Sequence, residues 1–358
     1  MNLFESFQLG NTTLKNRIVM APMTRSRAID NIPNALMAHY YQQRASAGLI
    51  ITEGTSPSPN GIGYPRIPGA YADEQIDGWK KVADAVHAKE GSIFVQLMHT
   101  GRITAKANMP VDSITLAPSS IQAAGEMFTD ADGMAVHEIP RAMTLEDIET
   151  AKKEYVLAAK RLINEAGMDG IELHAANGYL MNQFINPRSN QREDAYGGSI
   201  ENRARFILEI ATAVVTAIGA DKVGIRFSPY GAFNDMLSDY KELEATFIYL
   251  SKELAKLNLS YIHIVDQRVA FGAPDFMTDI KKTIKDNFKG TVISGGDVDS
   301  VAKAENILES GLDLVYVGRP YISNPNLTEK LRNDTELAAP DMDTFYSPGE
   351  QGYTDYSS

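Results

Sequence analysis

The sequence predicts an α/β protein with a single (β/α)8 TIM barrel, in which eight parallel strands close into a cylinder surrounded by helices. Short apolar runs alternate with amphipathic stretches along all 358 residues, and eight such pairs are found. The apolar runs are continuous, as in strands that are buried on both faces. Barrels of this kind exceed the average domain in size, so we expect residues 1–358 to form one domain. An open doubly wound sheet is the alternative, because repeated strand–helix units do not by themselves show closure.

The elements follow from these runs in chain order. The predicted strands are 18–20, 49–52, 93–98, 169–174, 223–227, 261–265, 291–294 and 314–317. The predicted helices are 35–47, 74–89, 145–166, 200–218, 240–257, 276–287, 298–309 and 326–332. The third helix has the clearest start, because Thr144 precedes it and Asp147 follows three residues later, which is the spacing of a capping box. Gly167 is placed to end it.

Two segments lie outside this repeat. Residues 1–16 carry a turn signal at Gly10 and Asn11 between short apolar patches, which predicts an N-terminal hairpin over the barrel floor. Residues 102–143, after the third strand, are long and interrupted by Met and Pro. We expect this segment to be an insertion that caps the barrel mouth, because long structured insertions are usually functional.

Composition excludes several classes of protein. The net charge of -12 opposes binding to nucleic acid or to an anionic membrane. With no cysteine, the chain cannot form disulfides, thiolate zinc sites, iron–sulfur clusters or a cysteine nucleophile. No apolar run approaches 18 residues, and the first residues do not resemble a signal peptide, so we expect a cytoplasmic protein. Neither a metal-site spacing nor a Gly-x-Gly-x-x-Gly turn after a strand is present, so neither a metal nor a Rossmann-bound nicotinamide is expected.

Most unusual polar residues follow the predicted strands, at the end of a barrel where active sites form. In strand order they are Thr24 and Arg25; Glu53, Gly54 and Thr55; Gln96, His99 and Arg102; His174, Asn177 and Tyr179; Arg226; Asp266, Gln267 and Arg268; Gly295, Gly296 and Asp297; and Gly318 and Arg319. A lone histidine at a strand end is usually structural. Here His174, Asn177 and Tyr179 lie within one turn after the fourth strand. Three polar side chains so close together instead indicate a site that binds an electron-rich oxygen and delivers a proton.

The glycines after the seventh and eighth strands predict a phosphate site, which is a recurrent feature of this fold. Gly295 and Gly296 allow a phosphate to approach the backbone closely. The Arg319 guanidinium can donate two parallel hydrogen bonds to it. From these residues alone the phosphate could belong to a substrate or to a cofactor, and the glycines could simply turn the chain. Arg226 lies on a buried strand and needs an anionic partner, which could be a ligand or an internal carboxylate such as Glu172.

Several longer stretches resemble the old yellow enzyme family, the FMN-dependent ene-reductases. The resemblance covers nearly the whole chain and is carried by LKNRIVMAPMTRSRA (14–28), RASAGLIITEGT (44–55), FVQLMHTGRI (94–103), the block 174–205, GIRFSPYGAFNDM (224–236) and VGRPYISNPNL (317–327). It implies an oxidoreductase that reduces activated C=C bonds of α,β-unsaturated carbonyl or nitro compounds. NADPH or NADH would reduce a tightly bound, non-covalent FMN, and the enzyme would be a monomer or a homodimer.

The resemblance also implies roles for individual residues. FMN would be held by Pro22, Met23, Thr24, Gly54 and Gln96 along the isoalloxazine edge, by Arg226 near N1 and O2, and by Gly295, Gly296, Gly318 and Arg319 at the phosphate. His174 and Asn177 would bind the substrate oxygen, flavin N5 would supply the hydride, and Tyr179 would donate the proton. Tyr64, Phe233 and Tyr353 would shape the substrate pocket.

Three other functions remain to be separated from this one. A 2,4-dienoyl-CoA reductase of related fold needs thiolate-bound iron–sulfur, which the absence of cysteine disfavours. A flavin-free isomerase or aldolase acting on a phosphorylated substrate would use the phosphate loops alone. A non-catalytic flavin protein would bind FMN without reducing any alkene.

Overall fold

A closed parallel barrel forms the centre of the computed structural model, which describes residues 2–266, 279–296 and 298–357. The strands are β1 (Phe7–Leu9), β2 (Thr12–Leu14), β3 (Ile18–Met20), β4 (Leu49–Ile51), β5 (Ile93–Leu97), β6 (Leu116–Ala117), β7 (Glu126–Thr129), β8 (Gly133–Val136), β9 (Arg141–Ala142), β10 (Gly170–Ala175), β11 (Val223–Phe227), β12 (Tyr261–Ile264), β13 (Thr291–Gly296) and β14 (Leu314–Val317). Eight of them pair in the order β10-β11-β12-β13-β14-β3-β4-β5, and β5 returns to β10. The predicted barrel is therefore confirmed, and the open sheet is wrong.

Helices surround the barrel between its strands. They are α1 (Ala35–Gln43), α2 (Asp73–His87), α3 (Leu145–Asn164), α4 (Leu180–Ile185), α5 (Ile200–Ile218), α6 (Leu243–Lys256), α7 (Ile280–Phe288), α8 (Val301–Glu309), α9 (Pro320–Ser323) and α10 (Leu327–Arg332). The predicted capping box of α3 is present: the Thr144 hydroxyl accepts from the Asp147 N–H at 3.1 Å, and the Asp147 carboxylate accepts from the Thr144 N–H at 2.8 Å. Sequence periodicity missed α4 and α9, which are only one or two turns long.

Side-chain caps explain some differences between predicted and observed helix ends. Helix α8 begins at Val301 and not at residue 298, because the Ser300 hydroxyl accepts from the Lys303 N–H and caps the helix there. Helix α1 ends at Gln43 and not at residue 47, because the backbone N–H groups of Arg44, Ala45 and Ala47 bond to carbonyls three residues back and not four. The predicted start of the sixth helix, residue 276, lies outside the described residues, as do Gln267, Arg268 and Asp297.

The predicted N-terminal hairpin is formed by β1 and β2, which pair antiparallel. Leu9 and Leu14 are fully buried and pack with the inward-facing side chains Val19, Leu49 and Leu314. The hairpin thus adds apolar side chains to the barrel interior at the end away from the predicted site. Packing at that end of a barrel serves stability.

The insertion 102–143 carries four short strands. β7 and β8 form an antiparallel hairpin, and β6 pairs with β9. An ion pair joins Asp130 at the tip of the β7–β8 hairpin to Arg66, and the buried Arg102 side chain contacts the Asp235 carboxylate at 3.2 Å. These contacts hold the insertion against the loops that follow β4 and β11. In the described part of the chain, no helix has the length and apolar character needed to cross a membrane.

Candidate active site

The turn after β10 brings the predicted catalytic residues together. His174 lies on β10 and pairs in register with Arg226 on β11. Asn177 and Gly178 then adopt left-handed backbone conformations, with φ of 57° and 77°, so the chain reverses and Tyr179 immediately precedes α4. The Ser228 hydroxyl accepts from the Asn177 N–H at 2.7 Å and ties the turn to the end of β11.

His174 is arranged as a neutral hydrogen-bond donor. Its ring is almost fully buried, and its Nδ1 accepts from the Ala176 N–H at 3.3 Å, which leaves the proton on Nε2. Burial, followed by the positive charge of Arg226, lowers the pKa of His174 well below its usual value. At neutral pH the side chain can therefore donate from Nε2 without carrying a charge.

Tyr179 holds a protonated hydroxyl beside this imidazole. Its ring lies edge-on to the His174 ring, with centroids 4.9 Å apart, and its hydroxyl donates to the Tyr64 hydroxyl at 3.1 Å. Burial raises the pKa of Tyr179 well above 10, and the neighbouring Tyr64 adds to the effect. The predicted pocket residue Tyr64 is therefore in direct contact with the predicted proton donor.

The loop after β11 covers the same group and contributes a residue that the sequence reasoning missed. The Asn234 amide donates to the Asn177 carbonyl at 2.8 Å. It also lies beside the hydroxyls of Tyr64 and Tyr179, where it partly offsets the rise in pKa that burial causes in both. Phe233, the preceding residue and a predicted pocket residue, has a mostly exposed side chain. The signal for Asn234 was its position next to Phe233 in the same stretch.

Gln96 and Arg226 face the barrel interior beneath this group. Gln96 donates from Nε2 to the Glu172 carboxylate at 2.7 Å. Arg226 is almost completely buried, and its Nε has no hydrogen-bond partner among the described residues. Glu172 influences Arg226 by charge, but its own hydrogen bonds go to Gln96 and His263. Glu172 therefore offsets part of the charge of Arg226 without hydrogen-bonding to its Nε, and the site keeps a buried donor able to bind an electron-rich ligand.

The remaining residues predicted to bind the ring lie at the ends of β3 and β4. Pro22, Met23 and Thr24 follow β3 and are partly exposed. Gly54 follows β4 and is buried, and a Cβ at this position would lie 2.5 Å from the Met98 sulfur. A side chain at this position would force the Met98 side chain to move.

The predicted phosphate residues lie together at the ends of the adjacent strands β13 and β14. A Cβ on Gly295 would lie 2.1 Å from the Tyr316 carbonyl oxygen, and Gly296 has a φ of 146°, so both positions require glycine. Gly318, in contrast, borders open space: a Cβ there would meet only the Ala21 Cβ, at 3.9 Å. Arg319 is exposed beside it. The arrangement leaves room for an anionic group next to the exposed Arg319 guanidinium.

Tyr353 does not line the pocket, which corrects the sequence prediction. Its side chain is fully buried and stacks on Tyr40 with ring centroids 4.0 Å apart, within a cluster that includes Arg25 and Arg27. The aromatic residue of the C-terminal segment near the site is Tyr346, which influences the pKa of both Tyr64 and Tyr179. Its ring is exposed.

The described geometry thus brings three groups of residues to the C-terminal ends of the barrel strands: a turn with neutral polar side chains, a buried polar pair and the glycine-rich ends of β13 and β14. The first contains His174, Asn177 and Tyr179, and Gln96 and Arg226 lie directly beneath it. Neutral donors placed around a developing negative charge stabilise it, and a phenol beside them can supply a proton. The arrangement suits a reaction that builds negative charge on a substrate oxygen.

Comparison with known proteins places these features in context. Residues 2–338 match the model of the NADH:flavin oxidoreductase / NADH oxidase family. The chain is 42% identical to a chanoclavine-I aldehyde reductase of Penicillium roqueforti, with 99% of this chain and 96% of that protein covered. It is 39% identical to a probable flavin mononucleotide-dependent alkene reductase of Leishmania infantum, with 97% and 95% covered. The solved structure of morphinone reductase superimposes with a TM-score of 0.95 at 42% identity, covering 99% of this chain and 96% of that one.

Proposed function

Because the chain belongs to the old yellow enzyme family of FMN-dependent NAD(P)H oxidoreductases, we propose that it reduces the activated C=C bond of α,β-unsaturated carbonyl or nitro compounds. The observation that carries this proposal is the turn that holds His174, Asn177 and Tyr179, in which the His174 and Tyr179 rings are in contact, next to the buried Arg226, whose Nε has no hydrogen-bond partner among the described residues. A flavin-free isomerase or aldolase is disfavoured, since the matched family uses a flavin.

The residues fit FMN. The opening beside Gly318 and the exposed Arg319 would hold the phosphate, together with Gly295 and Gly296. Pro22, Met23, Thr24, Gly54 and Gln96 would contact the ring, and Arg226 would meet the part of the ring that gains negative charge on reduction. When bound, FMN would supply the hydride that NADPH or NADH delivers to it.

Substrate binding and proton transfer fall to this chain's own side chains. His174 donates from Nε2 and Asn177 from its amide to the substrate oxygen, where each such donor contributes roughly 2.7–4 kcal/mol to the stability of the transition state. Tyr179, whose hydroxyl keeps its proton because it is buried, gives that proton to the substrate carbon. Tyr64, Phe233 and Tyr346 would border the pocket, whereas Tyr353 is buried outside it.

The function is tested by an absorption spectrum of the purified protein. We expect a yellow protein whose flavin band is bleached by anaerobic NADPH or NADH and restored by 2-cyclohexenone. A colourless protein that FMN cannot reconstitute would contradict the proposal. A yellow protein that no activated alkene reoxidises would instead favour a non-catalytic flavin protein. A cytoplasmic location and a monomeric or homodimeric state remain predictions from the sequence.

A further inference from the structure

Glu172 is a buried carboxylate that the proposed reaction leaves without a role. It lies on β10 two residues before His174, so both side chains point to the same face of the strand, into the barrel. The Glu172 side chain is fully buried. One carboxylate oxygen accepts from Gln96 on β5 at 2.7 Å, and the other lies 2.8 Å from His263 Nδ1 on β12. Side chains from three barrel strands thus meet at this one group.

Glu172 is ionised in this setting. Burial raises its pKa, but the interactions with His263, Arg226 and Gln96 outweigh burial and leave the pKa below its usual value. Burial lowers the pKa of His263 to about 4, so this imidazole is neutral at pH 7 and donates its Nδ1 proton to the carboxylate. The only formal charges that this group carries at pH 7 are therefore those of Glu172 and Arg226.

The carboxylate determines which way the Gln96 amide points. An ionised carboxylate has no proton to donate, so the Gln96 atom that faces it at 2.7 Å must be the NH2 group. Gln96 Oε1 is then left to accept a hydrogen bond. An oxidised isoalloxazine carries a single N–H, and Gln96 Oε1 can accept a hydrogen bond from it. If the Gln96 amide were rotated, its NH2 group would face that N–H, and two donors cannot form a hydrogen bond.

The same carboxylate also offsets the charge of Arg226. Glu172 and Arg226 interact by charge inside the barrel, where water does not screen them as it does at the surface. Without the anion, Arg226 would attract negative charge on a bound ligand more strongly. The pair therefore sets how favourable added negative charge is at this end of the barrel.

We propose that Glu172 is a positioning residue for the cofactor: it fixes the Gln96 amide with its oxygen free as an acceptor, and it lowers the reduction potential of bound FMN by offsetting Arg226. This inference rests on the proposed function, because it requires FMN to bind above Gln96 and Arg226.

Two substitutions separate the two effects. Glu172→Gln keeps an oxygen for the Gln96 amide but removes the negative charge. We expect it to shift the reduction equilibrium of the bound FMN at least tenfold toward the reduced form, which is about 30 mV for a two-electron couple. Glu172→Asp keeps the charge but withdraws the carboxylate by one methylene from Gln96. We expect it to weaken FMN binding roughly tenfold, the effect of losing about 1.4 kcal/mol, with less than a threefold change in the reduction equilibrium.

His263→Gln is the matched control, since it disturbs the same buried group without changing its charge at neutral pH. We expect a loss of thermal stability with a reduction equilibrium close to that of the unchanged protein. If Glu172→Gln and His263→Gln shift the potential equally, or if Glu172→Gln does not raise it, the charge effect is wrong. Unchanged FMN affinity in Glu172→Asp would overturn the positioning role. If Glu172→Gln does not fold, the proposal is judged on Glu172→Asp. A wild-type protein that cannot bind FMN would contradict the proposed function itself.

Discussion

Tyr179 illustrates how a single residue acquires its chemistry from burial. A free phenol has a pKa of about 10, and the enclosed position of Tyr179 raises this value well above 10. Its hydroxyl contacts Tyr64 at 3.1 Å, and its ring contacts His174. The residue therefore remains a proton donor throughout the neutral and mildly alkaline range.

Replacing Tyr179 by Phe tests this role. We expect the step that reduces the alkene to slow by roughly 10²-fold or more for weakly activated substrates, which is the usual contribution of a general acid. The step in which NAD(P)H reduces the cofactor should be nearly unchanged, because no proton is given to a carbon there. Stopped-flow absorbance measures the two steps separately. Tyr64→Phe keeps the donor and should have the smaller effect, and equal damage to both steps in Tyr179→Phe would refute the assignment.

The error at Tyr353 also has a residue-scale cause. Tyr346 and Tyr353 are aromatic residues seven positions apart in the same C-terminal segment, and nothing in their spacing says which one turns inward. The segment folds back over three arginines that donate to its carbonyls. Arg25 reaches Gly352, Arg27 reaches Phe345, and Arg44 reaches Tyr353. These backbone contacts bury Tyr353 and leave Tyr346 near the pocket.

At the scale of elements, the loop after β11 depends on one carboxylate. Asp235 contacts Arg102 at 3.2 Å and Arg188 at 2.7 Å, and it accepts from the Ala124 N–H at 3.2 Å. The loop that carries Asn234 is thereby joined to the insertion 102–143. Asn234 and Asp235 both have left-handed backbone conformations, with φ of 59° and 58°, which these contacts stabilise.

Asp235→Asn should loosen this loop. The buried Arg102 would lose its charged partner, so we expect the free energy of unfolding to fall by about 1.5–3 kcal/mol, the range for hydrogen bonds to charged groups. Residues 230–240 should exchange amide hydrogen faster, and KM for the alkene should rise because Asn234 is less well placed. Denaturant unfolding, hydrogen exchange and steady-state kinetics measure these effects. Asp239→Asn, at an exposed position in the same loop, is the control, and the prediction fails if both variants behave alike.

At the scale of the whole molecule, a buried charge cluster links the C-terminal segment to the barrel. Glu53 follows β4, is completely buried, and accepts from the Arg25 N–H at 3.2 Å and from the Tyr41 hydroxyl at 3.3 Å. Burial raises the pKa of Glu53 to about 7, although Arg25, Tyr41 and Arg27 partly oppose the effect. The folded protein therefore holds a proton on Glu53 at a pH where the unfolded chain has lost it.

This difference predicts a loss of stability as the pH rises. Between pH 4.5 and 7 the folded state binds more protons than the unfolded state, so the contribution of Glu53 is present at low pH and is lost as the pH passes 7. The shift from 4.5 to about 7 corresponds to about 3 kcal/mol. Glu53→Gln should remove this dependence, and the exposed Glu146→Gln should retain it. Unfolding curves from pH 5 to 8 measure the effect, and identical slopes for Glu53→Gln and wild type would contradict it.

The barrel itself was predictable because each strand is a local feature. Continuous burial on both faces makes β3 and β14 apolar along their whole length and β11 apolar except for Arg226, and the predicted bounds of all three match the observed ones. The ends of these strands meet at one side of any closed parallel barrel, so polar residues that follow them are brought near one another. Closure, in contrast, depends on β5 pairing with β10 across the insertion, and no local pattern indicates that contact.

The sequence by itself determined the fold class, the family and the set of residues at the strand ends, since these depend on residue type and order. That residues 1–358 form one domain stays a prediction from length. Only the tertiary structure decided that Glu172 binds Gln96 and His263, that Asn234 lies beside two tyrosine hydroxyls, and that Tyr353 is buried while Tyr346 is not. Such contacts join residues distant in the chain, and their geometry and pKa shifts arise from burial, which exists only once the barrel has closed and excluded water.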